Sequence, residues 1–450
     1  MDLYTTLISR IVFPLHERIK NHDSVALREE LEISQWWDQD RLEALRLSKL
    51  RRLLVHAGLH VPYYRALFSA ISFNMEDMRS ISDLARLPLL DKSKIRANTE
   101  GLKSEMGTRL ARFNTGGSSG EPLIFYIGKE RVAHDVAAKW RATRWWDVDI
   151  GDREIVVWGS PIELGAQDGL RVFRDRLLRT RLLPAFEMSD QRIDGFLDEI
   201  RAVRPKMLFG YPSAFSRIAR RAEARGYRMD DLGIRVVFVT SERLYQEQRR
   251  QISKTFGCPV ANGYGGRDAG FIAHECPQGG MHITAEDIIV EIVDQQGAPQ
   301  PCGTAGEIIV THLATKDFPF IRYRTGDIGV LDSQLCICRR GLPLLKEIQG
   351  RSTDFLIAQD GTVMHGLALI YILRDLPRIT SFKIIQESLN LTRVCVVSEA
   401  KLDAETVARI ERGFKARLGQ AVNVMIEEVD EIPAEKSGKF RYVVSKVVTP

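Results

Sequence analysis

Apolar side chains in the first hundred residues recur about every 3.6 positions, the period of an amphipathic helix. Residues 40–68, DRLEALRLSKLRRLLVHAGLHVPYYRALF, follow this period, and Pro62 is expected to end the helix. One buried stripe is predicted, made of Leu42, Leu45, Leu50, Leu53 and Leu54. The pattern therefore predicts a helical N-terminal region.

Further along the chain, helix and strand patterns alternate. SDQRIDGFLDEIRAV, SAFSRIARRAEARG and LYQEQRRQISKTFG have the helical period, and they alternate with the short apolar runs KMLFGYP, IRVVFVTSE and CPVANGYGG. This order predicts a parallel sheet with helices on its faces. Functional loops are then expected at the carboxyl ends of the strands.

The pattern changes after about residue 280. MHITAEDIIVEIVDQQG, GEIIVTHL and FIRYRTGDIGVL predict strands joined by turns, and a strand–helix–strand–strand–helix–strand order follows from about residue 355. We therefore expect an α/β protein with two domains. Residues 1–349 form a large N-terminal domain with mixed or parallel sheets, helices and a β-rich subdomain, and residues 350–450 form a small α+β C-terminal domain.

Composition narrows the functional classes. The net charge is only +5 over 450 residues, with arginines scattered among acids, so nucleic-acid binding is not expected. No apolar run reaches the length of a membrane span. The N-terminus MDLYTTLISRIVFPLHERIK contains Asp2 and Arg10, which favours a mature cytoplasmic protein over a signal peptide. An amphipathic surface anchor in that segment is the alternative.

The stretch FNTGGSSGEPLIFYI contains a loop of small and hydroxyl residues, Thr115, Gly116, Gly117, Ser118, Ser119 and Gly120. Its backbone N–H groups and hydroxyls suit a polyphosphate. A flexible linker is a second interpretation. The loop also matches the G-x-S-x-G pattern of hydrolases, but that motif needs a helix after the serine. The strand pattern LIFYI follows instead, which favours the phosphate loop.

Five motifs in order, TGGSSGEP, NGYGG with Asp268, FIRYRTGD, GRSTD and SGKFR, resemble those of the adenylate-forming superfamily. The chain is most similar to the phenylacetate–CoA ligase branch and its CapK-like relatives. The resemblance implies that a carboxylate attacks the α-phosphorus of ATP to give an acyl-adenylate and pyrophosphate. A thiol, commonly that of coenzyme A, then displaces AMP.

The resemblance also implies residue roles. The glycine–serine loop would cradle the β- and γ-phosphates, Tyr264 would stack on adenine, and Asp327 would bind the ribose hydroxyls. Asp268 stands where the family has a Mg²⁺-binding glutamate, and its side chain is one methylene shorter. Further nucleotide contacts are expected at Ser241, Glu242, Asn262, Gly263, Gly265 and Arg351.

Two more roles follow from the resemblance. Lys439 matches the lysine that bridges the carboxylate and the α-phosphate, so it is the expected catalytic side chain. Asp354 matches the hinge about which a mobile C-terminal domain rotates between the two half-reactions.

Two turn-rich stretches, HECPQGGMHI and LCICRRG, carry potential metal ligands, Cys276, His282, Cys336 and Cys338. Three thiolates and one imidazole are ligands that tetrahedral Zn²⁺ takes, and a closed site of this kind would be structural. His274 is an alternative imidazole. The alternative without metal is a set of reduced thiols beside a surface histidine. The arrangement resembles one in members of the same branch.

The acid is expected near the strand ends at residues 210–213, with Tyr211 and Ser213 in the pocket. Tyr211 is either the wall of a pocket for a flat aryl acid or a packed core residue. The leading prediction is an ATP- and Mg²⁺-dependent acid–CoA ligase. The alternative acceptor is a carrier-protein thiol, an amine or a saccharide. A Ser118 hydrolase and a non-catalytic nucleotide-binding scaffold are predictions of other classes. A homodimer is left open.

Overall fold

The computed structural model describes residues 2–107, 109–114, 123–158, 169–185, 188–351, 355–376, 378–433 and 440–447. The chain divides into two compact units. The first contains residues 1–325 and 329–348, and the second contains residues 326–328 and 349–450. Each unit is described below by itself.

Helices dominate the first hundred residues, as the period predicts. The described α-helices are α1 (Leu3–Leu7), α2 (Phe13–Ile19), α3 (Ser24–Ser34), α4 (Gln39–His60), α5 (Pro62–Ala70), α6 (Lys92–Ala97), α7 (Lys129–Arg144), α8 (Gly169–Leu177), α9 (Asp190–Val203), α10 (Pro212–Ala224), α11 (Gln246–Phe256), α12 (Leu367–Arg374) and α13 (Ala404–Leu418). A π-helical turn, Ile8–Val12, joins α1 to α2, and 3₁₀ turns cover Met75–Asp77 and Ile81–Arg86.

The strands fall into one large sheet and several small ones. They are β1 (Ala111–Asn114), β2 (Ile124–Ile127), β3 (Glu154–Trp158), β4 (Thr180–Pro184), β5 (Met207–Gly210), β6 (Val236–Thr240), β7 (Val260–Gly266), β8 (Gly270–Glu275), β9 (Met281–Ile283), β10 (Ile288–Val293), β11 (Ala305–His312), β12 (Tyr323–Leu331), β13 (Leu344–Arg351), β14 (Phe355–Ile357), β15 (Val363–His365), β16 (Ile379–Ser388), β17 (Leu391–Ser398), β18 (Asn423–Glu428) and β19 (Val443–Ser445).

The large sheet has eleven strands in the order β10-β11-β12-β13-β9-β8-β7-β6-β5-β3-β4. Its half from β4 to β7 is parallel, and β7 pairs with β8 in the antiparallel sense, as do β8 with β9, β9 with β13, and β10 with β11. The mixed α/β class is therefore confirmed. The parallel half results from helical crossovers, because parallel neighbours cannot be joined by a tight turn.

Helix α4 shows how the N-terminal pattern becomes structure. Asp38 caps its start by accepting a hydrogen bond from the Arg41 N–H at 2.8 Å. The predicted apolar stripe faces the core, with Leu45 half-buried and the other four leucines buried. Pro62 begins α5 rather than ending all helical structure, because proline fits the first position of a helix.

The second unit contains a four-stranded sheet in the order β18-β17-β16-β19. Strands β16 and β17 are antiparallel neighbours, and β18 and β19 pair with them in the parallel sense. The buried side chain of Gln386 is hydrogen-bonded to both backbone groups of Ile357, at 3.0 and 2.7 Å. This amide joins β14 to the sheet without leaving its own polar atoms unsatisfied.

Among the helices that the structure describes, none is both long and apolar enough to cross a membrane.

Candidate nucleotide site and metal centre

The parallel strands β5, β6 and β7 are neighbours, so their carboxyl ends lie side by side. Tyr211 and Ser213 follow β5, and Ser241 and Glu242 follow β6. Four further predicted contacts belong to β7 itself: Asn262, Gly263, Tyr264 and Gly265. The fold therefore gathers three separate stretches of sequence at one edge of the sheet, where ligands bind in open α/β sheets.

Glu242 connects the ends of β5 and β6. The backbone N–H of Ser213, in the first turn of α10, donates to Glu242 Oε2 at 3.1 Å. A carboxylate is favourable there because the first N–H groups of a helix have no partner within the helix. Ser241 has a positive φ of 71°, so the chain turns sharply between β6 and Glu242.

Tyr211 is a packed residue, with only 2% of its surface exposed. Its ring stacks on that of Trp158, with centroids 4.4 Å apart and planes 25° apart. Trp158, the last residue of β3, is half-buried. Sequence reasoning did not single out Trp158, which is the first residue of the sequence WGSP at 158–161. Of these two stacked rings, the partly exposed one is therefore that of Trp158.

Two glycines of β7 are required by packing. A Cβ atom on Gly263 would lie 2.8 Å from Cε1 of Phe238, and one on Gly265 would lie 2.2 Å from the carbonyl oxygen of Gly270. Tyr264 between them is half-buried, and its hydroxyl donates to Thr325 Oγ1 at 3.5 Å. This contact brings the predicted adenine-stacking ring next to the YRTGD stretch.

Asp268, the predicted magnesium ligand, has protein partners on both carboxylate oxygens. Oδ2 accepts a hydrogen bond from the Tyr323 hydroxyl at 2.6 Å, and Oδ1 accepts one from the Ala269 N–H at 3.0 Å. A carboxylate oxygen has two lone pairs, so each oxygen keeps acceptor capacity for an ion. Tyr323 lies in the YRTGD stretch, which sequence reasoning recognised as a family motif. Sequence reasoning nevertheless assigned no role to Tyr323 itself.

Arg131 on α7 is a second residue that sequence reasoning missed. Its guanidinium is 2% exposed and donates to the carbonyl oxygens of Arg267 and Asp268, both at 3.3 Å. Its Nε donates to Asp135 at 3.0 Å. Arg131 therefore fixes the backbone of the turn that carries Asp268. An arginine in an ordinary helical pattern gives no sequence signal for this contact.

The other predicted nucleotide residues are only partly described. Asp327 lies in β12, two residues after Thr325, and is half-buried. Arg351 is the last residue of β13, and its side chain is outside the described part of the chain. The loop residues Thr115, Gly116, Gly117, Ser118, Ser119 and Gly120, the catalytic candidate Lys439 and the hinge candidate Asp354 also lie outside the described residues. Their roles stay predictions.

The strands that flank the glycine–serine loop are described. Asn114 of β1 pairs with Ile124 of β2 in an antiparallel ladder. A hydrolase nucleophile elbow needs a strand before the serine and a helix after it. A strand on each side does not give that context.

The four predicted metal ligands, Cys276, His282, Cys336 and Cys338, come together, and their ligand atoms all lie within 4.8 Å of one another. The sulfur atoms of Cys276 and Cys336 are 3.7 Å apart, and Cys338 Sγ is 3.2 Å from His282 Nε2. A disulfide needs about 2.0 Å between sulfurs, whereas two sulfurs about 2.3 Å from one tetrahedral zinc ion lie close to the observed spacing. The donor set therefore fits a structural zinc ion.

The surroundings of this cluster also suit a metal. His282 Nδ1 is 3.4 Å from the carbonyl oxygen of Leu342, which orients Nε2 towards the sulfurs. A Cβ atom on Gly280 would lie 2.6 Å from Cys336 Sγ, so only glycine fits there. Burial raises the pKa of the Cys276 thiol to about 12 and lowers that of His282 to about 4. A cation would offset the cost of a buried thiolate.

His274, the alternative imidazole, is not part of this cluster. It is 2% exposed, and its ring stacks on Phe271 with centroids 5.6 Å apart. Burial lowers the pKa of His274 to about 3, so the ring is neutral. His274 is a core residue of β8.

Comparison with known families gives two matches. Residues 179–314 match the family described as AMP-binding enzyme, and residues 356–446 match the CapK C-terminal domain. The first match covers the strand ends described above, and the second covers most of the second unit.

Individual relatives match over most of the chain. Protein CapK of Staphylococcus aureus is 23% identical over 372 residues, which covers 82% of this chain and 81% of that protein. The phenylacetate-coenzyme A ligase of Thermus thermophilus is 25% identical over 408 residues, covering 87% and 86%. That of Escherichia coli is 28% identical over 328 residues, covering 71% and 73%.

Solved structures share the fold. A 2-hydroxyisobutyryl-CoA ligase in the postadenylation state, at 18% identity, aligns with a TM-score of 0.73 over 91% of each chain. ATP-bound MatB of Rhodopseudomonas palustris, also at 18% identity, aligns with a TM-score of 0.52 over 74% of this chain and 66% of its own. The chain therefore combines an AMP-binding enzyme region with a CapK C-terminal domain, and over most of its length it is similar to CapK and the phenylacetate-coenzyme A ligases.

Proposed function

We propose that this protein activates a carboxylic acid with ATP to an acyl-adenylate and then transfers the acyl group to coenzyme A. Such an enzyme is an AMP-forming acid–thiol ligase. The observation that carries the proposal is the convergence of the predicted acid-pocket and nucleotide residues at the carboxyl ends of β5, β6 and β7. Two hydrogen bonds link this edge to the YRTGD strand, one from Tyr264 and one from Tyr323.

The chemistry divides into two steps. An oxygen of the acid attacks the α-phosphorus of ATP, and the bond to pyrophosphate breaks. The thiolate of coenzyme A then attacks the acyl carbon, and AMP leaves. Positioning and electrostatic stabilisation supply most of the catalysis in phosphoryl transfer. We assign Asp268 to Mg²⁺, Asp327 to the ribose, the loop at 115–120 to the phosphates and Lys439 to the reacting carboxylate and α-phosphate.

The proposed acid is an aryl or other small organic acid. Support comes from the Trp158–Tyr211 stack, since a flat acid can extend a stack of aromatic rings. Ser213, two residues after Tyr211 in the sequence, is assigned to the same pocket. The match of residues 356–446 to the CapK C-terminal domain keeps a second acceptor under consideration, a carrier-protein thiol or a saccharide amine.

The test is adenylation trapped with hydroxylamine, using a panel of aryl, alkyl and amino acids with and without coenzyme A. We expect pyrophosphate release with one class of acid, and a thioester only when coenzyme A is added. If an acid is adenylated but no thioester forms with coenzyme A, the acyl group is transferred to the alternative acceptor instead. Tight ATP binding with no activation of any acid would contradict the proposal and favour a nucleotide-binding scaffold.

A further inference from the structure

Five aliphatic side chains on the N-terminal helical segment point into solvent at every fourth residue. They are Leu3, Leu7, Ile11, Leu15 and Ile19, exposed by 89, 48, 60, 58 and 75%. We call this set the outer stripe. A helix on a protein surface normally places charged or polar residues on its solvent side. The outer stripe is the opposite of this arrangement, which indicates that another surface covers these apolar side chains.

The π-helical turn reduces the drift of the outer stripe around the helix axis. In an α-helix, residues four apart drift around the axis, because one turn takes only 3.6 residues. The turn Ile8–Val12 takes in more residues than an α-helical turn, and this cancels part of the drift. The five side chains therefore form one band along the segment.

The opposite side of the same segment is fixed to the protein. Thr5 Oγ1 donates to Asp152 at 2.8 Å, and the rings of Phe13 and Trp140 meet edge to face at 5.1 Å. Ile8 packs so closely on Gly151 that a Cβ atom there would lie 2.7 Å from it. The segment is therefore anchored by one side, and the outer stripe faces away from the protein.

The charges beside the outer stripe are cationic. Arg10, Arg18 and Lys20 are exposed and lie next to members of the stripe in the sequence. The single acid of the segment Leu3–Lys20 is Glu17, which is buried and accepts a hydrogen bond from Ser24 at 2.7 Å. Asp2, which precedes Leu3, is exposed as well, but it is paired with Arg179 at 2.7 Å. Within Leu3–Lys20, no exposed carboxylate offsets the three cations.

Helix α8 extends this surface. The Tyr4 hydroxyl donates to the carbonyl oxygen of Leu177 at 2.8 Å, which fixes the end of α8 beside α1. Val172 and Phe173 on α8 are 52 and 67% exposed, and Arg176 is also exposed. The neighbouring element therefore repeats the combination of exposed apolar and basic side chains.

We propose that the outer stripe docks this protein on the surface of an anionic lipid bilayer. A helix that lies flat in a membrane interface has an apolar face and Lys or Arg at its edges. The long basic side chains can reach the head groups while their stems lie along the apolar surface. A second copy of this chain is a less suitable occupant, because an isologous contact would bring two cationic edges together. One row of five side chains is also small beside an ordinary dimer interface.

The test is co-sedimentation of the full chain with vesicles of phosphatidylcholine alone and of phosphatidylcholine with phosphatidylglycerol. We expect binding to the anionic vesicles, weaker binding to the neutral ones, and release as salt screens the basic edge. In the triple variant Leu7→Ser/Ile11→Ser/Leu15→Ser, the affinity for anionic vesicles should fall by roughly tenfold or more. Arg10→Gln/Arg18→Gln/Lys20→Gln should lose the preference for anionic lipid.

The matched control is Ile33→Ser/Val55→Ser/Leu59→Ser, which removes three aliphatic side chains exposed by 62, 43 and 56% elsewhere on the protein. It should bind vesicles like the unaltered chain. The proposal would be overturned if the outer-stripe variant and the Ile33/Val55/Leu59 control bound anionic vesicles equally well. It would also be overturned if the unaltered chain did not bind anionic vesicles at low salt. A concentration-dependent dimer that the outer-stripe variant abolishes would also overturn it. Adenylation measured in solution is a separate readout, since none of the substituted residues belongs to the nucleotide site.

Discussion

At the scale of single residues, Arg131 positions the turn that carries Asp268. Because its guanidinium binds two carbonyl oxygens of that turn, Arg131→Met should let the turn relax and move the proposed magnesium ligand. We expect adenylation to fall by roughly tenfold or more, with a raised requirement for Mg²⁺. The measurement is the rate of pyrophosphate release as a function of Mg²⁺ concentration.

A second buried arginine of α7 provides the control. Arg141 is 1% exposed and pairs with Glu286 at 2.6 Å, away from the Asp268 turn. Arg141→Met should lower stability but leave the Mg²⁺ dependence of the remaining folded enzyme unchanged. If both variants shift the Mg²⁺ dependence equally, Arg131 has only a structural role.

The cysteine cluster gives the second residue-scale prediction. The unaltered protein should contain about one zinc per chain by elemental analysis, because four ligands fit one closed tetrahedral site. Cys336→Ser/Cys338→Ser should lose this metal and unfold at a lower temperature. Cys302→Ser, at an exposed position outside the cluster, should keep the metal. Folded protein purified without metal would remove the zinc assignment.

At the scale of elements, a buried ion pair joins α7 to the residue before β10. Asp287 lies 2.6 Å from His134 and 2.8 Å from Lys49. Burial favours a neutral His134, but Asp287 outweighs it and raises the pKa of that imidazole. Burial favours a protonated Asp287, but His134 and Lys49 outweigh it and hold the pKa of that carboxyl far below its usual range.

The pH dependence follows from these two directions. The raised pKa of His134 gives a contribution that is complete below about pH 6.5 and disappears as pH rises through the folded-state pKa. The lowered pKa of Asp287 gives one that is complete above about pH 4 and decreases below it. His134→Gln should therefore lower the free energy of unfolding by about 3 kcal/mol near pH 5.5, and by less at pH 9.

Denaturant unfolding at the two pH values measures this difference. Asp287→Asn provides the control. If the two groups form one pair, the double variant His134→Gln/Asp287→Asn should lose less free energy of unfolding than the sum of the losses in the two single variants. A cost of His134→Gln that does not change with pH would show that the imidazole is neutral in the folded protein.

At the scale of the whole molecule, the expected division of work between two domains can be tested with Lys439. Lys439→Ala should abolish adenylation, while a synthetic acyl-adenylate should still be converted to the thioester, because the role proposed for this lysine belongs to the first step alone. Thioester formation from the acyl-adenylate is the measurement. Lys446→Ala, a lysine of the same C-terminal stretch that pairs with Glu387, is the control and should keep both half-reactions. Loss of both steps in Lys439→Ala would contradict the assigned role.

The sequence by itself determined the element pattern and the set of candidate site residues. Helical and strand periods follow from which side chains must be buried. The parallel half of the sheet, the helices around it and the sequence of strands and helices from about residue 355 could therefore be predicted. Ordered motifs indicated the family. The pairing of Cys276 and His282 in one turn-rich stretch with Cys336 and Cys338 in another predicted a cluster, because three thiolates and one imidazole are ligands that tetrahedral zinc takes.

Only the tertiary structure decided which partners each of these groups has. Arg131 reaches the Asp268 turn across 136 and 137 positions of sequence, and Tyr323 reaches Asp268 across 55. The sequence is equally compatible with Tyr211 as a pocket wall and as a packed core residue, whereas the structure buries Tyr211 and stacks its ring on Trp158. The outer stripe needed the structure as well, because a helical period shows that one side is apolar but not which side the protein covers. Contacts between distant residues depend on how the sheet brings strands together, and no local pattern encodes that.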